Sequence, residues 1–318
     1  MKFSPAFSNA HLQTLYAPLF RKKITLPLEK ERFFLEDGDF VECYWHNKPS
    51  IASSKPIIVL LHGLNGSYQS PYIQGIMKEA SLHNFASVVM HFRGCSGVQN
   101  NLPRAYHSGD TKDILAWIKH LHSTYFNATF FGVGYSLGGN VLLKLLGEEK
   151  ENIVFQKAVS ISAPLDLAIS ANAINKGFSK FYQRLLLKDL KKMLHKKFQK
   201  HPMNKYIKLQ QKEIAKIKTF WEFDEAYTAP IHHFQSAKEY YQKSSAKPYL
   251  KDIAISTLLI HSLDDPFMTP KILPKKEEIN DNITLEVYPY GGHVGFVSGT
   301  IFRPNYWLEK RIISFFIK

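Results

Sequence analysis

Ser136 stands in GVGYSLGGN, residues 132–140, with a glycine two positions before it and glycines two and three positions after it. A β-type run, ATFFGV, precedes the stretch and a helix-forming run, VLLKLLGE, follows. A strand that turns sharply into a helix crowds three backbones together, so residues without side chains are needed beside the turn. Gly134, Gly138 and Gly139 meet that need, and the apex residue then has its side chain lifted clear of the sheet. A raised hydroxyl becomes a nucleophile when a base takes its proton, and that base needs an acid to orient it. Glycine and serine fall into this spacing by chance in other chains. The strand before and the helix after make this match specific.

After such an elbow the partners follow in the order acid, then histidine. GGHVGF, behind the last β-type run TLEVYP, offers His293, with Gly291 and Gly292 allowing a close loop. The preceding strand ends in STLLIHSLDDPF, which presents Asp264 and Asp265. Asp265 is the expected acid, and a turn-starting role is the ordinary alternative for either member of the pair. Asp166, after KAVSISAPL, is the rival acid from an earlier strand. The oxyanion of an acyl-transfer intermediate wants two N–H donors, one from the residue after the nucleophile and one from the loop after the third strand. These are Leu137 and, in LLHGLNGS after His62 and Gly63, Leu64. No metal or organic cofactor is expected, since pairs such as His232 and His233 lack metal-ligand spacing.

The elements that must position these groups read as ERFFLE, FVECYW, PIIVLL, ASVVMHF, ATFFGV, KAVSIS, STLLIH and TLEVYP, with helix-length segments such as IQGIMKEASLH and DTKDILAWIKHLHSTY between them. That rhythm predicts an α/β fold: a mostly parallel eight-stranded sheet with helices on both faces and an antiparallel start near residues 32–46. It breaks from about 168 to 247, where helical text runs without a strand, which predicts a helical cap inserted into a single domain. Ser108 is a plausible N-cap for DTKDILAWI.

The net charge of +14 on 318 residues is localised. From Lys176 to Lys218 there are 14 Lys and Arg against Asp189 and Glu213, and elsewhere 27 bases face 25 acids. Within this stretch Phe178, Phe181, Leu185, Leu186, Leu190, Leu194 and Phe198 recur at helical spacing. The apolar stripe either closes over the active site with its lysines solvated or lies on an anionic membrane surface. No nucleic-acid motif accompanies the charge, so nucleic acid is not an expected partner. Cys43 and Cys95 have no partner cluster, which points to a reducing compartment. With no signal-like start and no run of eighteen apolar residues, the expected location is the cytoplasm, with peripheral membrane contact open.

The stretches NAHLQTL, HGLNGSYQSPYI, HFRGCSG, YHSGDTKDI, GYSLGGN, FDEAYTAPIHHF, DDPF and GGHVGF together resemble the YheT-type branch of the α/β-hydrolase superfamily. That group includes abhydrolase-domain lipases and medium-chain ethanol acyltransferases. The resemblance spans nearly the whole chain and implies an α/β-hydrolase fold with Ser136, Asp265 and His293 as its triad. It departs in HSLDDPF and in IHHF, where His233 replaces a usual glycine and is expected to alter the pocket wall. The leading expectation is a serine carboxylic-ester hydrolase acting on a small-molecule or lipid ester through an acyl-enzyme. The alternatives are acyl transfer to an alcohol and a non-catalytic membrane-binding protein. Arg93 and the YHSGD loop are expected to brace loops.

Overall fold

All eight β-type runs enter one sheet. β1 (Glu29–Phe34), β2 (Phe40–His46), β3 (Ile57–Leu61), β4 (Ala86–Met90), β5 (Phe130–Tyr135), β6 (Phe155–Ile161), β7 (Ser256–Ser262) and β8 (Ile283–Tyr288) lie in the order β1-β2-β4-β3-β5-β6-β7-β8. β2 runs antiparallel to both β1 and β4, and the remaining pairs are parallel. The computed structural model describes residues 2–318. β3, β4 and β5 are buried along their whole length, which is why they read as unbroken apolar text rather than as an alternation.

Side chains alternate across each strand, so every strand feeds two cores. Ile58, Leu60, Val133 and Tyr135 pack against α2 (Pro71–Leu82) and α10 (Trp307–Ile317). Ile57, Val59 and Leu61 pack with Trp117 and Leu121 of α3 (Lys112–Thr124) and with Val141 and Leu145 of α4 (Leu137–Glu149). α3 begins later than the Ser108 cap predicts. Thr111 stands at its N-cap and spends its hydroxyl on Glu148, while Ser108 lines the same cavity as Ser136.

Before the sheet, α1 (Ala10–Phe20) is capped by Asn9, whose side chain accepts from the N–H groups of His11 and Leu12. Between β6 and β7 come α5 (Leu167–Ala173), α6 (Ser179–Lys200), α7 (Phe220–Phe223), α8 (Ala229–Ile231) and α9 (Ala237–Ser244). α6 buries Leu187, Leu190 and Leu194, and it also buries Lys197. The Lys197 ammonium donates to Asn100 Oδ1 and to the Leu102 carbonyl, each at 2.5 Å, and so pins α6 to the loop after β4. Its removal from water lowers its pKa to about 7. Arg93 braces the same loop. Its Nε and Nη2 reach Asp113 at 2.6 Å each, and its Nη1 reaches Asp39 at 2.9 Å.

A short hairpin, β9 (Val297–Gly299) with β10 (Pro304–Tyr306), leads into α10. No described helix is long and apolar enough to cross a membrane.

Candidate active site

The turn between β5 and α4 is built by steric exclusion. Ser136 has φ +51° and ψ −120°, a conformation that L residues adopt only when their surroundings force it. Its N–H donates to the Ile161 carbonyl on β6 at 2.8 Å. A Cβ on Gly134 would lie 2.4 Å from the Gly138 carbonyl oxygen, and one on Gly138 would lie 2.4 Å from that of Leu61. Both obstacles are backbone and cannot swing away. The glycines around Ser136 are therefore required by the close approach of β3, β5 and α4.

His293 comes to this hydroxyl from the loop after β8. Its Nε2 is 2.9 Å from Ser136 Oγ, and its Nδ1 is 2.8 Å from Asp265 Oδ2. A carboxylate can only accept, so Nδ1 carries the hydrogen and Nε2 faces the hydroxyl as a bare acceptor. Asp265 is buried, and its other oxygen accepts from the Phe267 N–H at 2.8 Å. The Phe267 ring stacks on the imidazole at 4.0 Å between centroids and 10° between planes. Asp264 takes a different post: its Oδ1 accepts from the Gly292 N–H at 2.9 Å, tying the acid's loop to the histidine's. The rival Asp166 caps α5 by accepting from the Ile169 N–H.

Gly63 lies against Ser136, its would-be Cβ 3.3 Å from the serine's. The flanking N–H groups of this loop are occupied. Gly63 donates to the Tyr72 hydroxyl at 2.9 Å and Asn65 to the Tyr106 hydroxyl at 3.1 Å. Between them the Leu64 N–H has no acceptor among the described residues, and neither has that of Leu137 in the first turn of α4. His62 braces the loop from beneath. Burial lowers its pKa to about 3, so the ring is neutral, donating from Nδ1 to the Gly63 carbonyl and accepting the Phe92 N–H on Nε2. The arrangement offers a hydroxyl, a base, an orienting carboxylate and two free amide donors around one point, which is the equipment of acyl transfer.

Several supports were not singled out from the sequence. Thr14 Oγ1 accepts from the His293 N–H at 2.9 Å. Gln13, wholly buried, donates to the carbonyls of Phe7 and Val297 and accepts from the Val297 N–H. A Cβ on Gly295 would lie 2.2 Å from the Gln13 carbonyl oxygen, so α1 rests directly on the histidine loop. NAHLQTL and YHSGD, which carried the resemblance, held the signal for Thr14, Gln13 and Tyr106, but a motif alone does not say which group a side chain supports.

Above Ser136 is a cavity of about 400 Å³. α1 contributes Leu15, and the helices between β6 and β7 contribute Tyr182, Leu186, Leu190, Phe223 and Tyr227. Asp224 is a polar exception in this wall. Burial pushes its pKa up to about 6 against the pull of the Thr228 and Tyr241 hydroxyls, each of which donates to it at 2.6 Å. Burial also lowers His107 to about 3, which keeps that part of the wall uncharged. His233 does not alter the wall as expected. It is exposed at the end of α8 with φ +63°, and the Phe234 N–H donates back to the Ala229 carbonyl. That is a helix C-terminal turn in the left-handed region, the position where glycine is usual. Burial pushes the Cys95 thiol up to about 12, the opposite of the lowered value an activated cysteine carries.

Fold and site together define an α/β-hydrolase. Residues 56–300 match the family model for the alpha/beta hydrolase fold, and the chain belongs to that family. It is 43% identical over 306 residues to the protein YheT of Escherichia coli (strain K12), covering 96% of this chain and 89% of that one. It is also similar to human Phospholipase ABHD3, at 28% identity over 94% of this chain and 74% of the relative. The Monoacylglycerol lipase of Saccharomyces cerevisiae is 30% identical over 76% of this chain and 55% of its own. Among solved structures, the Pyrococcus furiosus esterase Pf2001 superposes with a TM-score of 0.57 at 16% identity, over 99% of this chain and 98% of that one. That likeness is one of fold.

Proposed function

We propose that this hydrolase cleaves carboxylic esters through an acyl-enzyme. His293 takes the proton of Ser136 as the serine oxygen attacks the ester carbonyl, with Asp265 holding the imidazole in its tautomer. The N–H groups of Leu64 and Leu137 receive the oxyanion. The protonated imidazole then gives its proton to the departing alcohol, and a water activated by the same ring releases the acid. The supporting observation is the His293 ring spanned between Ser136 Oγ at 2.9 Å and Asp265 Oδ2 at 2.8 Å.

The apolar wall of the cavity favours an ester with an aliphatic acyl group, in keeping with the phospholipase and monoacylglycerol lipase names of two relatives. Ser136→Ala is expected to abolish both turnover of p-nitrophenyl esters and labelling by a fluorophosphonate probe. A folded Ser136→Ala protein that still takes the label removes this serine from the mechanism. Transfer to an alcohol in place of water would use the same residues and would appear as an ethyl ester when ethanol and a thioester donor are supplied.

A further inference from the structure

Among the described residues seventeen large apolar side chains are exposed, and eight of them come from three segments, two of which also line the cavity. Leu12, Leu19 and Phe20 come from α1, Phe178, Phe181 and Leu185 from the start of α6 and the turn before it, and Ile301 and Phe302 from the β9–β10 turn. These segments touch. The His11 ring lies 4.5 Å from that of Phe178, Phe178 lies 5.7 Å from Phe181, and the Tyr16 ring lies 5.3 Å from that of Phe20 while its hydroxyl donates to the Ile301 carbonyl. The patch is continuous with the cavity lining. Leu15 and Pro18 of α1 and Tyr182 and Leu185 of α6 line the cavity from the same two helices, and Leu185 is 47% exposed. Apolar surface of this extent, opening into an apolar cavity, calls for an apolar cover.

Charge identifies the cover. Lys22 and Lys23 follow α1, Lys176, Lys180, Arg184 and Lys188 lie along the start of α6 and the turn before it, and Arg303 lies in the β9–β10 turn; all are exposed, and none is paired with a carboxylate among the described residues. Residues 10–23, 174–188 and 298–306 contain no Asp or Glu at all, and Asp189 is the first acid met along α6. Aromatic and aliphatic side chains fringed by unpaired cations match a bilayer with anionic headgroups, where the apolar groups enter the acyl boundary and the cations meet phosphates. A protein partner would have to be apolar at its centre and acidic all round.

We propose that this face, made of α1, the start of α6 and the β9–β10 turn, docks on an anionic lipid surface and admits ester substrate from the bilayer into the cavity. The docking stands on the surface alone; the admission of substrate rests on the ester-hydrolase reading.

The test is sedimentation of the full chain with vesicles of phosphatidylcholine, pure or mixed with phosphatidylglycerol. Binding is expected to the mixed vesicles, weaker to pure phosphatidylcholine, and to fall with added salt. Replacing Phe20, Phe178, Phe181 and Phe302 together by serine is expected to weaken binding at least about tenfold. The same variant should lower turnover of a vesicle-embedded ester by a similar factor and leave p-nitrophenyl acetate turnover unchanged. Lys180→Glu with Arg184→Glu and Lys188→Glu should remove the preference for phosphatidylglycerol. Wild-type protein left in the supernatant with both vesicle types at low salt overturns the proposal, as does a four-serine variant that sediments like wild type. Ser136→Ala separates the two readings, since it should lose turnover and keep binding.

Discussion

The β5–α4 elbow and the helices between β6 and β7 meet over the same cavity, but they are held by different forces. At the elbow the contacts are backbone on backbone: Gly138 lies so close to the Leu61 and His62 carbonyls that one added carbon would fall 2.4 and 2.6 Å from them. Over the cavity the contacts are side chain on side chain, with Leu190, Phe223 and Tyr227 meeting rings and methyl groups that can repack. The first kind of contact leaves no room for an added atom and holds the Ser136 hydroxyl in one place. The second tolerates exchange, which allows a wall to be reshaped without moving the chemistry beneath it.

The sharpest way to break this contrast is on the catalytic side. Asp265→Asn should leave the fold intact and lower kcat by about 10³ to 10⁴, because an amide can stabilise the wrong imidazole tautomer. Its neighbour gives the control. Asp264→Asn loosens the tie to Gly292 and should cost about tenfold, so equal losses from the two would show that the two carboxylates do not have distinct roles. Gly138→Ala should cost about 3 kcal/mol or more in a chemical melt, whereas Leu186→Met in the wall should cost less than about 1.5 kcal/mol and shift the preferred acyl length. A well-tolerated Gly138→Ala would end the contrast.

A smaller effect probes how the helical region is fastened. Lys197 has a folded-state pKa of about 7, below the 10.5 of a free lysine. The unfolded chain then holds the extra proton between those values, so stability should rise with pH from about 7 toward 10, by at most about 1.4 kcal/mol per unit. Lys197→Met should flatten that rise in pH-dependent urea melts. Smallest of all, His233→Gly relieves a left-handed residue and should raise stability by about 1 kcal/mol with no change in kcat.

Much of the frame was readable before any coordinates. Period-two and unbroken apolar runs mark all eight strands, and the chain order of serine, acid and histidine limits the partners to a few residues. The choice between Asp264 and Asp265 was different, since adjacent residues of one type have the same local signals. The start of α3 was missed because Ser108 carries the capping chemistry, and only the packing of the loop turns it toward the cavity while Thr111 takes the cap position. His233 was misread for a related reason, because a departure from a usual glycine reports backbone conformation and not distance from a cavity.

Local composition by itself determined the elbow, since a strand, a small-residue turn and a helix leave a serine one place to stand. What only the tertiary structure decided is which distant groups serve that serine: Thr14 and Gln13 behind the histidine loop, His62 beneath Leu64, and Phe267 stacked on the imidazole. The reason is physical. Strand and helix preferences act over a few neighbouring residues, whereas a support for His293 can come from any part of the chain that packing brings within 3 Å, and position 14 is 279 residues away.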